Sequence, residues 1–376
     1  MDKIQMVDLK AQYQHIKDEV DVAISEVINT TSFINGPAVS KFQKELETYL
    51  DVKHVITCAN GTDALQIAMM GLGFKPGDEV ITASFTYVAT AEVIALLGLV
   101  PVLVDVDPFT FNIDPAAIEK AITNKTVAIV PVHLFGQCAD MDAIMDIAKR
   151  HNIHVIEDTA QAIGADYISQ NETKRKAGTI GTIGATSFFP SKNLGCYGDG
   201  GALFTNDDEL ASKIRMIANH GQRIRYYHDE IGVNSRLDSI QAAILSVKLK
   251  ELDNYAIARN NLAKAYDAAF ETSSKLIIPK RSTKSTHVFH QYTLQANGFD
   301  RDELKLFLET KEVPAMIYYP VPLHLQKAYL DPRYKKGDFP VTEKLCGTVF
   351  SLPMHTEMQE NQLKHIISSV FEFINR

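Results

Sequence analysis

The segment SFFPSKNLGCYGDGGALFTND, residues 187–207, sets a single lysine, Lys192, between an apolar strand-like run and a glycine-rich loop. A second strand-like run, HVIED, ends on an acid, Asp158. A lysine amine and a carboxylate delivered by two strand ends suit pyridoxal phosphate. The amine can bond the cofactor's aldehyde, and the carboxylate can keep the pyridine nitrogen protonated so that the ring accepts electrons. Taken alone the pair discriminates poorly, since an exposed loop lysine and an ordinary acid fit the same letters.

A phosphate narrows the choice. ANGTDAL (59–65) puts Gly61 and Thr62 at the start of a predicted helix, where free backbone N–H groups and the helix dipole attract an anion. The alternative is that Thr62 and Asp63 only cap that helix. Ser187 offers a hydroxyl to the same phosphate. Tyr87, in SFTYVAT, can stack on a flat ring or fill the core. Gln161, in EDTAQ, can reach a ring hydroxyl or merely open a helix. The glycines of GCYGDGGA let the backbone pass close to a cofactor, or only turn the chain.

These residues need a frame. From about residue 50 to 205, short apolar runs (HVITCA, DEVITAS, VPVLVDVD, TVAIVPVHLFG, HVIEDTAQ, ATSFFPS, GALFTND) are separated mostly by helical patterns. Such alternation predicts a mainly parallel sheet with helices on both faces, and functional residues at its carboxyl edge. NGT, SFTY, HLFGQ and EDTAQ should therefore converge. Beyond the long helical stretch 233–270 the pattern changes to short strands (VFHQYTLQA, VPAMIYYP) and helices, a smaller α+β domain. The expected division is a large α/β domain over 1–250 and a small domain over 251–376.

Composition sets the outer limits. The 376 residues carry a net charge of −8, with 45% apolar and 22% charged residues. That is ordinary for a soluble enzyme and argues against nucleic acid as a partner, the short KRKAG cluster (174–178) notwithstanding. Cys58, Cys138, Cys196 and Cys346 are scattered without metal-binding spacing and read as reduced thiols. The charged N-terminal segment resembles no signal peptide, and the uncharged run Val93–Val104 is interrupted by Gly98 and Pro101. A cytoplasmic protein with no membrane partner is expected.

NGTDAL, PGDEVITASFTYVATAE, PVLVDVD, IEDTAQAIGA, SFFPSKNLGCYGDGGALFTND and GVNSRLDSIQAAIL together resemble the DegT/StrS-type sugar aminotransferases. These are pyridoxal phosphate enzymes of aspartate aminotransferase fold type I. The likeness runs collinearly from about residue 5 to SLPMH near 351–355. It implies a mainly parallel seven-stranded sheet with a smaller α+β C-terminal domain. It also makes Lys192 the cofactor-bonding lysine, Asp158 the partner of the pyridine nitrogen, Gln161 the neighbour of the ring hydroxyl and Tyr87 the aromatic over the ring. Gly61, Thr62 and Ser187 match phosphate contacts. Asn234, in GVNSRLD, matches a residue that reaches the cofactor phosphate of a neighbouring subunit, which implies a homodimer with shared active sites. Arg236 is expected at the nucleotide sugar across that interface, or in an interface salt bridge.

One branch of the family replaces the lysine by histidine and dehydrates; Lys192 favours amino transfer from glutamate to a keto-sugar nucleotide. SFFPSKNLGCYGDGGA, HGQ (220–222) and GVNSRLD are especially similar to enzymes acting on UDP-2-acetamido-2-deoxy-3-oxo-D-glucuronate in O-antigen synthesis. Tyr318-Tyr319-Pro320 departs from a His-Tyr-Pro pattern, which keeps a dTDP- or UDP-linked 3-keto- or 4-keto-6-deoxyhexose in view as the alternative. Tyr318, Tyr319 and His324 are candidates for the sugar pocket, the alternative for Tyr319 and His324 being that they simply pack the small domain. A dinucleotide-dependent dehydrogenase would need G-x-G-x-x-G after the first strand, where ANGTDAL stands, and GTIGTIG (178–184) has the wrong spacing. A non-catalytic regulator that binds the cofactor or a sugar nucleotide is the remote alternative.

Overall fold

Five-residue runs rich in valine and isoleucine form one sheet in the computed structural model, which describes residues 2–376. Its strands are β1 (His54–Cys58), β2 (Glu79–Ala83), β3 (Val100–Val104), β4 (Thr126–Val130), β5 (His154–Asp158), β6 (Ile183–Ser187) and β7 (Gly201–Thr205). Their order is β1-β7-β6-β5-β4-β2-β3. β7 runs antiparallel to both neighbours, and the remaining pairs are parallel. Successive residues of a strand feed opposite cores. Val155 packs with Ile81 and Ile129, whereas Ile156 packs with Val80, Ala128 and Val130. That alternation is the pleat of a sheet buried on both faces.

Several helices around the sheet start where an Asn or Asp accepts the free N–H groups of the first turn. Asn60 does so for Gly61–Leu72, Asp140 for Met141–His151 and Asp207 for Asp208–Ala218. The stretch 233–270 is not one helix. Residues 233–238 run into two helices, Ser239–Leu249 and Leu252–Phe270, jointed at Lys250 and Glu251. Leu252 packs in the large-domain core, while Leu262, Ala263, Tyr266 and Phe270 pack in the C-terminal core. This helix ties the two cores together, which accounts for the lack of a linker in the sequence.

The C-terminal core surrounds a three-stranded antiparallel sheet (Leu276–Ile277, Tyr292–Ala296, Val349–Leu352) with helices Arg301–Thr310 and Glu360–Ile374. Ile4, from the opposite end of the chain, is buried in it. VPAMIYYP, expected as a strand, makes only an isolated bridge between Met316 and Ser351. Pro314 and Pro320 lack the N–H groups a ladder needs, and the run instead carries Tyr318 and Tyr319 toward the large domain. Among the described residues no helix is long and apolar enough to cross a membrane.

Candidate active site

A cavity of about 660 Å³ opens at the carboxyl edge of the sheet, where the C-terminal core meets it. Gly61, Thr62, Tyr87, Asp158, Gln161, Ser187, Lys192, Tyr318 and Tyr319 all line it. The convergence expected of NGT, SFTY, HLFGQ and EDTAQ is thus met in space, with Phe135 contributing from HLFGQ.

At one end, β1 turns through Asn60 into the helix Gly61–Leu72. The Asn60 side chain accepts the Asp63 N–H at 2.8 Å. Gly61 and Thr62, in the first turn, have no partner one turn back in the helix for their N–H groups. A Cβ on Gly61 would lie 2.6 Å from that of Ser187. Only glycine lets the helix begin this close to the end of β6. The result is a small polar corner of free N–H groups and the Ser187 hydroxyl, suited to an anion.

At the centre, β5 delivers Asp158, which is 7% exposed. One carboxylate oxygen accepts the Thr90 hydroxyl at 3.0 Å and the other the Ala160 N–H at 3.1 Å. Burial raises its pKa, and these two donors together with the Lys192 charge only partly oppose the rise. Lys192 is half-buried. Burial pulls its pKa down to about 8, against the pull of Asp158 in the other direction. A carboxylate short of partners and an amine that is easily neutral therefore share one space.

Gln161 is 5% exposed and satisfied at both ends of its amide. Its oxygen accepts the Phe135 N–H at 2.7 Å, and its nitrogen donates to the Tyr319 hydroxyl at 3.0 Å. Tyr87 is 57% exposed, with its ring centroid 6.2 Å from that of Tyr319. These rings form the aromatic side of the cavity.

Three of the candidates lie elsewhere. His324 does not line the cavity. It is fully buried, with Nδ1 2.8 Å from the Ser84 hydroxyl and Nε2 3.1 Å from Glu343 Oε1. Neither ring nitrogen is left for a sugar. Asn234 is exposed and Arg236 half-buried, and neither lines this chain's own cavity. Between them, Ser235 donates to Asp63 at 2.6 Å and accepts the Ala59 N–H at 3.0 Å, which fixes the segment beside the anion-binding turn.

Four contributors went unread in the sequence: Thr90, Asp199, His290 and Gln291. Thr90 lies in YVATAE, where nothing in its neighbours marks it for chemistry, and Asp199 stands among glycines. His290 and Gln291 belong to VFHQYTLQA, whose letters read only as a small-domain strand. His290 Nδ1 is buried without a hydrogen-bond partner.

These residues fit pyridoxal phosphate on physical grounds. Asp158 is buried with only two hydrogen-bond donors, the amine of Lys192 is depressed toward neutrality, and the Gly61–Ser187 corner presents donors to an anion. Aromatic rings flank the space between them.

The chain is 48% identical over 372 residues to a "pleiotropic regulatory protein" of Geobacillus stearothermophilus, covering 98% of both chains. It is 47% identical over 367 residues to the UDP-2-acetamido-2-deoxy-3-oxo-D-glucuronate aminotransferase of Pseudomonas aeruginosa, covering 98% of this chain and 99% of that one. Its fold superposes on Streptomyces venezuelae DesV with a TM-score of 0.95 at 38% identity, over 100% of both chains. It also superposes on Bacillus subtilis NtdA, solved with bound cofactor PMP, with a TM-score of 0.91 at 31% identity, over 100% of this chain and 86% of that one. The family model of the DegT/DnrJ/EryC1/StrS aminotransferases matches residues 14–371, and the chain belongs to that family.

Proposed function

We propose that this nucleotide-sugar aminotransferase moves an amino group from glutamate to the 3-oxo carbon of UDP-2-acetamido-2-deoxy-3-oxo-D-glucuronate, for bacterial surface-polysaccharide synthesis in the cytoplasm. The observation that carries the chemistry is the pairing of Lys192 with the under-satisfied Asp158 in one cavity. The choice of sugar rests on the 47% identity, over nearly the whole chain, to the Pseudomonas aeruginosa aminotransferase of that name.

Pyridoxal phosphate, when bound, supplies the electron sink and carries the nitrogen between the two substrates. The rest falls to the protein. Gly61, Thr62 and Ser187 hold the phosphate. Asp158 would hold the pyridine nitrogen of the cofactor protonated. Lys192, whose pKa lies at about 8, takes a proton from the donor's α-carbon and returns one to the sugar carbon. Tyr318 and Tyr319 face the sugar, and the aromatic walls keep water from the reacting carbon.

A homodimer completes the site in this reading. The position of Asn234 and Arg236 off their own cavity, on a segment fixed at the anion-binding turn, supports their reaching the cavity of a second copy. A second reading, amination of a 6-deoxy keto sugar, is favoured by Tyr318, a neutral phenol on the cavity wall where a histidine was expected for the uronate. The regulatory name of the Geobacillus stearothermophilus relative does not change the assignment, because the reactive lysine and its acid are both present here.

Running the reaction backwards tests the reading. Purified protein is given 2-oxoglutarate and a panel of UDP- and dTDP-linked amino sugars, and glutamate is measured. Turnover of the 3-amino uronate is expected; turnover of a 4-amino sugar alone would overturn the assignment.

A further inference from the structure

His324 sits outside the cavity, yet it joins the two segments that form the cavity's aromatic side. Its partner Ser84 is the residue after β2, and Tyr87 follows three positions later on the same turn. Tyr319 precedes His324 by five positions on the segment from the C-terminal domain. The Ser84 hydroxyl lies 2.8 Å from His324 Nδ1, and the Leu323 N–H donates to the Ser84 carbonyl at 3.0 Å. One two-point contact therefore spans the roots of both tyrosines. The rings of Tyr87 and Tyr319 stand 6.2 Å apart, and Phe85, between Ser84 and Tyr87, has its ring 6.0 Å from Tyr319.

The far side of His324 is held as firmly. Glu343 Oε1 meets Nε2 at 3.1 Å and also accepts the Gly337 N–H at 2.6 Å. Phe339 packs edge-on against the imidazole at 4.7 Å. Further along, the Leu103 N–H donates to the Tyr334 hydroxyl at 2.9 Å. Asp105 accepts the Thr342 N–H at 2.8 Å and its hydroxyl at 2.7 Å. Residues 323–342 thus follow the carboxyl ends of β2 and β3 as a strap. With His324 at 0% exposure, water cannot replace its partners.

We propose that His324 is a positioning residue, which with Ser84 sets the spacing between the Tyr87 and Tyr319 walls and so fixes how the sugar nucleotide sits against the reacting carbon. The proposal rests on the aminotransferase reading above. It assigns His324 a task on the sugar side of the reaction and none on the donor side. The wall that carries Tyr318 and Tyr319 belongs to the C-terminal domain by chain connectivity but is anchored to the large domain, so the sugar-binding face is built before substrate arrives. A displacement of under an ångström at such a wall changes rates well out of proportion to the one bond lost.

The test uses the full-length holoenzyme as wild type and as Ser84→Ala, His324→Asn, His324→Phe and the double variant Ser84→Ala/His324→Phe. Each half-reaction is followed separately, glutamate with the loaded enzyme and amino sugar with the loaded enzyme. Binding of the amino-sugar nucleotide is measured by calorimetry, and Tm is recorded alongside. Expected are a roughly tenfold rise in KM and Kd for the sugar nucleotide in His324→Phe and Ser84→Ala. The glutamate half-reaction should stay within about twofold of wild type. His324→Asn, which retains a hydrogen-bonding group near the Nδ1 position, should recover part of the loss, and the double variant should be no worse than His324→Phe alone. Unchanged sugar binding at lowered Tm, or equal losses in both half-reactions, would overturn the proposal. Failure of the wild type itself to process any amino sugar would instead overturn the functional reading.

Discussion

Two neighbouring carboxylates at the end of β5 face opposite sides of the sheet and meet opposite fates. Glu157, on the closed side, is fully buried and accepts the N–H groups of Gly178, Ile180 and Gly181 at 2.9, 2.7 and 2.6 Å. His133 Nε2 lies 2.9 Å away, and Nδ1 of the same ring accepts the Ala139 N–H at 3.1 Å. That second contact leaves the ring proton on Nε2, so His133 donates to Glu157 as a neutral imidazole. Burial alone would raise the Glu157 pKa, but the His133 contact and the loop N–H groups outweigh it and lower the value. Asp158, on the open side, has two donors, and burial wins. The protein gives one buried acid four hydrogen-bond donors and the next only two. Under-satisfaction at a cavity wall is thus a recognition feature, since a ligand that brings positive charge relieves it.

Substitutions should separate the two. Asp158→Asn should cost about a thousandfold in turnover, because the ring nitrogen loses its counter-charge. The fold should not suffer. A carboxyl whose folded pKa is raised gives its full stability below the unfolded value and loses it as pH rises. The cofactor-free variant should therefore show an unchanged or higher Tm at neutral pH by calorimetry. Glu157→Gln should do the reverse, costing about 3 kcal/mol in denaturant unfolding while sparing most of the activity per folded molecule. Its sign with pH is opposite too. A lowered folded pKa gives stability above the unfolded carboxylate range that fades as pH falls through the folded value, so wild type should lose its advantage over this variant in acid.

Smaller effects sharpen the same contrast. Gly61→Ala must push the helix start away from Ser187 and should cost about 1–2 kcal/mol, with weaker cofactor retention visible on gel filtration. In cofactor-free protein, labelling of Lys192 by an amine reagent should follow a midpoint of about 8, well below the ordinary value of 10.5. Asp158→Asn should move that midpoint lower still, because the carboxylate is what favours the charged amine. A midpoint that rises would show the two groups are not coupled as described.

The contrast also marks how far the sequence could be read. The strands were legible because apolar runs of sheet length recur between helical patterns. Gly61, Asp158 and Lys192 were legible because each stands at or just past the end of such a run. GTIGTIG reads only as a poor dinucleotide motif. Its contribution to Glu157 comes through backbone N–H groups, which no side-chain letter records. His290 and Gln291 escaped for another reason, since their place in the cavity depends on how the C-terminal domain docks. His324 reads in the sequence as a sugar-pocket candidate, but the fold places it outside the cavity, with Ser84 and Glu343 at its two nitrogens.

The central claim is that the amine of Lys192 carries the cofactor's aldehyde opposite Asp158. Borohydride reduction of pyridoxal phosphate-saturated protein, followed by digestion and mass spectrometry, tests it directly. The account predicts a single pyridoxyl tag on the peptide containing Lys192. A tag on another lysine, or none on saturated protein, would contradict it.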